Sequence, residues 1–237
     1  MTNAKPFSTP MASSLKLTLH SGTSLSDPSK YRKLIGSLQY LQFTRLDDRL
    51  SQFMHKPIED HCQATKRILR YLAGTPIHGI YFSTNNKLIL HAYSDDDWVG
   101  DADDYVSTNS YIVYLGSHPI SWSAKKQNGV ACSSMEAEYR AIANTAAELS
   151  WICSILTEIR VAIPSPLVVF RDNVGATFLC ANPIFHLRMK HIAIDYHFVR
   201  GQVQREFHIL ISEINTLTPS PLHSLELGSW IFVTSLE

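Results

Sequence analysis

Three consecutive carboxylates, Asp95, Asp96 and Asp97, follow directly on an alternating run of residues that is typical of a β-strand. Over residues 88–93 the side chains divide between two faces. By the same alternation Asp95 and Asp97 point to one face and Asp96 to the other. A half-buried strand has no packing reason to end in three negative charges. Either this strand end is solvated, or its carboxylates form half of a divalent-metal site.

The chain before this strand predicts an arm followed by helices. Residues 1–28 are rich in Ser, Thr and Pro without sustained periodicity, which predicts an extended or disordered arm. Helical periodicity begins near Tyr31, and a second helical run covers residues 61–72. One side of the second run carries three basic residues, Lys66, Arg67 and Arg70. They form either a solvated helix face or a surface that contacts phosphates.

The remaining pattern predicts several strands and one long helix. Ser133, with Glu136 three residues later, is a capping-box signature that opens a helix running to about Arg160. Strands first, followed by strand–helix alternation, indicate a mixed α/β sheet with helices on its faces. The predicted strands cover residues 79–84, 87–95, 108–116, 118–124, 167–173 and 207–212, with a turn at Asn85-Asn86 between the first two.

Two further acidic residues, Glu138 and Asp172, lie where packing alone would not place them. Glu138 precedes Ile142 by four residues, which turns it toward the apolar side of the predicted helix. Asp172 ends an apolar run that is typical of a central parallel strand. Each has an ordinary explanation: a turn or cap for Asp172, the helix dipole for Glu138, and a solvated loop for Asp95.

Together, however, two strand ends and the covering helix would bring these carboxylates to one point above the sheet. Carboxylate oxygens are the ligands that Mg²⁺ prefers, and clustered carboxylates would otherwise repel and protonate. Two such ions, roughly 3.5–4 Å apart, clamp a phosphodiester: one activates a water molecule and the other stabilises the leaving oxygen.

Residues from about 31 to 204 resemble the carboxyl-terminal part of copia-type retrotransposon polyproteins, which is the end of reverse transcriptase followed by a ribonuclease H domain. The matching stretches occur in the family's order over most of the chain. They are YRKLIGSLQYL (31–41), SQFMHKP (51–57), ATKRILRYLAGT (64–75), YSDDDWVGD (93–101), ISWSAKKQ (120–127), VACSSMEAEYRA (130–141), RDNVGA (171–176), NPIFH (182–186) and KHIAIDYHFVR (190–200).

The resemblance implies an α/β fold, namely a ribonuclease H-like mixed five-stranded sheet flanked by helices and preceded by a small helical segment. The implied activity is hydrolysis of the RNA strand of an RNA–DNA hybrid by two Mg²⁺ ions, with Mn²⁺ as an alternative. Asp95, Glu138 and Asp172 match the first three acidic catalytic and metal-ligating residues. Glu138 is chosen over Glu136 because the family's ligand is followed by a large residue, any residue and Ala.

An RNA–DNA hybrid is therefore the implied partner. Arg188, Lys190 and His191 are candidates for nucleic-acid binding through backbone phosphates; a solvated loop is the alternative. The chain has 21 basic and 21 acidic residues, a net charge of +0, which counts mildly against tight non-specific DNA binding. The polymerase motifs lie upstream in the family, so the upstream reverse transcriptase core is missing from this chain and no polymerase activity is expected.

The largest departure from the family lies in the last residues. The family's fourth ligand is the Asp of a Gln-x-Ala-Asp segment that opens a helix, whereas residues 212–237 read SEINTLTPSPLHSLELGSWIFVTSLE. Glu213 is the nearest substitute, and Asp96 adds a carboxylate beside the site where the family has a small residue. The alternative function is thus a catalytically inactive retrotransposon remnant with residual nucleic-acid binding. A host protein that uses the domain for protein–protein contacts is a third possibility without direct support.

We divide the chain into four parts: an arm (1–28), a helical segment resembling the end of reverse transcriptase (29–78), a ribonuclease H-like domain (79–212) and a divergent tail (213–237). No run approaches the roughly 18 apolar residues that span a membrane, and the first residues lack the apolar core of a secretory signal. Its four cysteines are widely spaced, without a CxxC motif. We therefore expect a soluble intracellular protein, cytoplasmic or nuclear, with reduced thiols.

Overall fold

The computed structural model describes residues 4–11, 17–19, 22–39, 50–101, 103–171, 193–205 and 207–211. Two compact units divide the chain, with the first running through Tyr81 and the second beginning at Phe82. The four-part division given above stays a prediction. Among the described residues, no helix has the length and apolarity that a membrane span requires.

In its described residues the first unit contains two helices, as the helical periodicity predicted, and a short 3₁₀ turn. Helix α1 covers Ser29–Gln39, the turn Ser51–Phe53, and helix α2 Glu59–Gly74. The Tyr31 hydroxyl donates a hydrogen bond to the Leu50 carbonyl at 2.8 Å. The apolar core that holds these elements together contains Met11, Tyr31, Ile35, Leu50, Phe53, Ala64 and Ile68.

The basic side of α2 holds the arm. The Phe7 ring lies 4.4 Å from the Arg67 guanidinium carbon and 4.1 Å from that of Arg70, a double cation–π contact. Arg67 also donates to the Thr9 hydroxyl at 2.7 Å, and Arg70 to the Lys5 carbonyl at 2.7 Å. These two arginines are thus neither a fully solvated face nor an open phosphate surface. They anchor the chain that precedes them.

The second unit contains one five-stranded sheet of order β3-β2-β1-β4-β5. β1 is antiparallel to β2 and β2 to β3, whereas β1–β4 and β4–β5 are parallel. This confirms the mixed five-stranded sheet of the predicted ribonuclease H-like fold. The strands are β1 (Leu90–Asp97), β2 (Thr108–Leu115), β3 (His118–Lys126), β4 (Leu167–Arg171) and β5 (Phe207–Ile211).

The strand predicted over residues 79–84 was wrong. Tyr81 and Phe82 expose 63% and 61% of their surface, so the apolar residues that suggested a strand pack little. Asn86, placed in the predicted hairpin turn, instead donates its amide to the Leu115 carbonyl at 2.6 Å and accepts the Ser117 N–H at 2.9 Å. Its side chain braces the β2–β3 turn, and β1 begins only at Leu90.

Helix α3 (Ser134–Glu158) covers one face of the sheet, and helix α4 (Ala193–Arg205) packs on α3. The predicted start of α3 is confirmed, because the Ser133 hydroxyl caps the helix by accepting the Glu136 N–H at 3.2 Å. The core between α3 and the sheet contains Leu90, Ala92, Val113, Ala146, Leu149, Ile152, Leu167 and Val169. This packing fixes which side of α3 faces the strand ends.

Replacing Phe7 by Ala should loosen the arm, because the ring then loses both guanidinium contacts. Cation–π contacts are worth roughly 0.5–2 kcal/mol, so we expect the free energy of unfolding of the first unit to fall by about 1 kcal/mol. Urea unfolding followed by circular dichroism measures the change. Ser8→Ala, at the exposed neighbouring position, is the matched control. Identical transitions for Phe7→Ala and the parent would show that the arm contributes no stability.

Candidate active site

Asp95 lies near the end of β1, where alternation places it on the face away from α3. Leu90, Ala92 and Ser94 are the buried positions of this strand, and Asp95 and Asp96 are half-buried. Asp95 pairs with Ser110 of β2, and its own carboxylate accepts the Asp96 N–H at 2.8 Å. The alternating burial of β1 extends to Ser94, and the different faces of Asp95 and Asp97 on one side and Asp96 on the other stay a prediction.

Glu138 is buried in the first turns of α3, on the side that faces the sheet, as its spacing predicted. One of its carboxylate oxygens lies 3.9 Å from a guanidinium nitrogen of Arg171, the last residue of β4, which is fully buried. Glu138 is thus positioned over the carboxyl end of β4. Farther along α3, the Thr145 hydroxyl donates to the Ser94 hydroxyl at 3.0 Å and ties the helix to β1.

The third predicted ligand, Asp172, lies outside the described residues, although it directly follows Arg171 in the chain. β4 runs parallel to β1, with Ala92 opposite Val169 and Tyr93 opposite Phe170. The carboxyl ends of the two strands therefore meet at one edge of the sheet. The predicted nucleic-acid contacts, Arg188, Lys190 and His191, also lie outside the described residues.

Asp96 points to the α3 side and takes part in a buried hydrogen-bond network. Gln127, directly after β3, donates from Nε2 to the Asp96 carboxylate at 2.8 Å and to the Ala137 carbonyl at 3.1 Å. Burial raises the pKa of the Asp96 carboxyl to about 7; the hydrogen bond from Gln127 opposes this rise, and the charges of Asp95 and Asp97 add to it. Protonation of Asp96 would remove one of the three adjacent negative charges.

Glu136, the other acid considered for the ligand position, is fully occupied in holding the start of α3. One carboxylate oxygen lies 2.5 Å from an Arg140 nitrogen, and the other accepts the Cys132 N–H at 2.9 Å. Its side chain is almost completely buried. This arrangement leaves Glu138 as the better placed acid on α3 for holding a cation.

The donor chemistry fits a hard cation, since Asp95 and Glu138 offer carboxylate oxygens near one edge of the sheet. Within the described ranges, no three His, Cys, Asp or Glu side chains are clustered closely enough to hold a metal ion. A complete set therefore requires a ligand from elsewhere in the chain, and Asp172 is the predicted one. Arg171 is a competing feature, because its guanidinium already supplies positive charge to Glu138.

A polar groove of about 830 Å³ opens beside Gln127, between β2, β3 and α3. Two of its cations are engaged: Lys126 with Asp101 and Asp104, and Arg140 with Glu136. Lys125 is exposed at its rim. No pattern in the sequence predicted a role for this groove, for Gln127 or for Arg171. For Arg171 a signal existed, since a charged residue interrupts an apolar strand at an inward-facing position.

No family model matches the chain. It is 66% identical over 209 residues to the retrovirus-related Pol polyprotein from transposon RE2 of Arabidopsis thaliana. It is 67% identical over 209 residues to the Pol polyprotein from transposon RE1 of the same organism. Each match covers 86% of this chain and 14% of the relative, so the chain spans a small part of the curated relatives it matches.

Among solved structures, the chain is similar to ribonuclease H1 from the halophilic archaeon Halobacterium salinarum NRC-1. The two are 11% identical with a TM-score of 0.38, and the match covers 52% of this chain and 84% of that one. A likeness of that size does not bear on function.

Glu136 should be a structural acid, and its removal should destabilise the second unit. Glu136→Ala loses an ion pair to Arg140 and the hydrogen bond from the Cys132 N–H. Hydrogen bonds to charged groups contribute about 1.5–3 kcal/mol, and we expect the free energy of unfolding to fall by about 2 kcal/mol. Urea unfolding measures it, with Glu158→Ala at the exposed end of the same helix as control. Equal losses for both variants would contradict this role.

Proposed function

The chain belongs to the family of retrovirus-related Pol polyproteins of copia-type retrotransposons, and we propose that it is a ribonuclease H segment that hydrolyses the RNA strand of RNA–DNA hybrids. One observation carries the proposal. Asp95 lies near the end of β1, which pairs in parallel with β4, and Glu138 is buried over the end of β4. Asp172 directly follows β4 in the chain. Asp95, which alternation places on the face away from α3, would reach round the end of β1 to join Glu138 and Asp172 at this edge.

In this mechanism Asp95, Glu138 and Asp172 hold two Mg²⁺ ions, or Mn²⁺ in their place, through carboxylate oxygens. When bound, the ions supply an activated water and charge stabilisation at the leaving oxygen. Asp95 and Asp172 would approach the ions from the strand ends and Glu138 from the helix. Asp95 lies on a strand and Glu138 on a helix, and such elements position ligands more precisely than loops do.

Hybrid binding is assigned to basic residues of the chain. Arg188, Lys190 and His191 are proposed to contact backbone phosphates, as their position in the family-like segment implies. Lys125, exposed at the rim of the polar groove, is a further candidate that the structure adds. Each phosphate contact contributes affinity without base specificity, so cleavage should not depend strongly on sequence.

A second candidate function is an inactive remnant that retains weak binding to nucleic acid. The observation in its favour is the buried Arg171 guanidinium, 3.9 Å from the Glu138 carboxylate. A fixed positive charge at that distance opposes the entry of a divalent cation into the same site. Residues 212–237 also lack the Gln-x-Ala-Asp segment that supplies the family's fourth ligand.

Cleavage of a labelled RNA–DNA hybrid in the presence of Mg²⁺ separates these functions. We expect cleavage by the parent chain, and a loss of more than about 100-fold for Asp95→Asn and for Glu138→Gln. Even an outer hydrogen bond to a metal ligand is worth roughly 10–100-fold, and these variants remove a ligand itself. Glu158→Gln, an equal charge change at the far end of α3, should cleave like the parent.

Equal cleavage by the parent and Asp95→Asn would rule out the assignment of the three carboxylates. Hybrid binding without cleavage by the parent, measured by fluorescence anisotropy, would instead establish the inactive remnant. Arg171→Met then tests why the parent does not cleave. Recovered cleavage would show that the Arg171 guanidinium prevents the cation from binding.

A further inference from the structure

We propose that Gln127 is a positioning residue for the candidate active site, because its buried amide joins the end of β1 to the turn of α3 that carries Glu138. Gln127 directly follows β3, and 9% of its surface is exposed. No part of the predicted chemistry uses it. The inference rests on the proposed function, since it concerns the same site.

The bridge consists of the hydrogen bonds that the side-chain nitrogen of Gln127 donates. Nε2 of Gln127 lies 2.8 Å from the Asp96 carboxylate, 3.1 Å from the Ala137 carbonyl and 2.5 Å from the Asn109 side-chain oxygen. An amide nitrogen has two hydrogens for these three acceptors, so at least one hydrogen is shared between two of them. Asp96 is the neighbour of Asp95, and Ala137 is the neighbour of Glu138. A single side chain therefore sets the spacing between the backbones that carry two proposed ligands.

Gln127 is itself held from two other directions. Its backbone N–H donates to the Ser107 carbonyl at 2.9 Å, just before β2. Its side-chain oxygen lies 3.3 Å from a guanidinium nitrogen of Arg140, which is in turn paired with Glu136. Because the donors and the acceptor of the side chain are both engaged, Gln127 is restrained between β1 and α3.

This bridge differs from the apolar packing of α3. The contacts of α3 with the sheet core, at Ala146, Leu149 and Ile152, lie about two or more turns along the helix from Glu138, as does the hydrogen bond of Thr145. Nearer to Glu138, Tyr139 and Ile142 belong to the apolar cluster shared with α4. These contacts fix the helix axis, whereas the bridge acts within one residue of both proposed ligands. Ligand sets for metal ions tolerate displacements of about 0.5 Å. Loss of the bridge should therefore affect the chemistry more than the fold.

The test compares Gln127→Met, which keeps the length of the side chain and removes its side-chain hydrogen bonds, with Asn128→Leu. Asn128 is the adjacent exposed amide and serves as the matched control. For Gln127→Met we expect kcat on an RNA–DNA hybrid to fall about 10–100-fold, with KM for the hybrid changed less than about twofold. Calorimetric titration should show Mg²⁺ binding weakened by a comparable factor. Asn128→Leu should match the parent in all three quantities.

A cooperative urea transition identifies variants that fold. If Gln127→Met does not fold, Gln127→Glu takes its place, since it keeps the length and polarity but turns an acceptor toward Asp96; the same losses are expected. Parental kcat and Mg²⁺ affinity in the folded variant would overturn the positioning role while the proposed function stands. A parent chain that neither binds Mg²⁺ nor cleaves would overturn the proposed function, and this inference with it.

Discussion

The parallel pairing of β1 with β4 under α3 is the constraint on which the rest of the second unit depends. It brings two strand ends to one edge of the sheet and places the first turns of a single helix over that edge. The apolar core fixes the helix axis, and the Ser133 cap fixes where the helix begins. Given those two conditions, Glu138 has to lie over the end of β4. The candidate site is thus a consequence of the topology.

The acidic residues near this edge have different partners for their carboxylates. Glu136 is held by Arg140 and the Cys132 N–H, Asp96 by the Gln127 amide and by its raised pKa, and Glu138 by the buried Arg171. Only the last of these partners brings a full positive charge to a proposed ligand. The balance between that charge and a divalent cation therefore separates an active ribonuclease H segment from an inactive one.

Local patterns in the sequence were sufficient for most of the elements. Alternation predicted strand β1, the Ser133–Glu136 spacing placed the start of α3, and helical spacing turned Glu138 inward. The misses concern contacts between residues distant in sequence. The Asn85-Asn86 pair is typical of a hairpin turn, but the Asn86 side chain binds the β2–β3 turn. No local pattern around Gln127 indicates that its side chain joins two other elements. The pattern of α2 predicted an exposed basic surface at Arg67 and Arg70, because the helix sequence alone does not show that Phe7 packs on both.

The central claim is that β1 and α3 present their carboxylates to one cation. The most direct test is to titrate Mn²⁺ into the ¹⁵N-labelled protein and to follow the backbone amide signals by NMR. A paramagnetic ion broadens only the signals near it. We predict that the amide signals of residues 94–97 and 136–139 broaden together at low Mn²⁺ concentration, and that added Mg²⁺ reverses the broadening. Broadening confined to the acidic loop at residues 101–104, or absent from both elements, would contradict it.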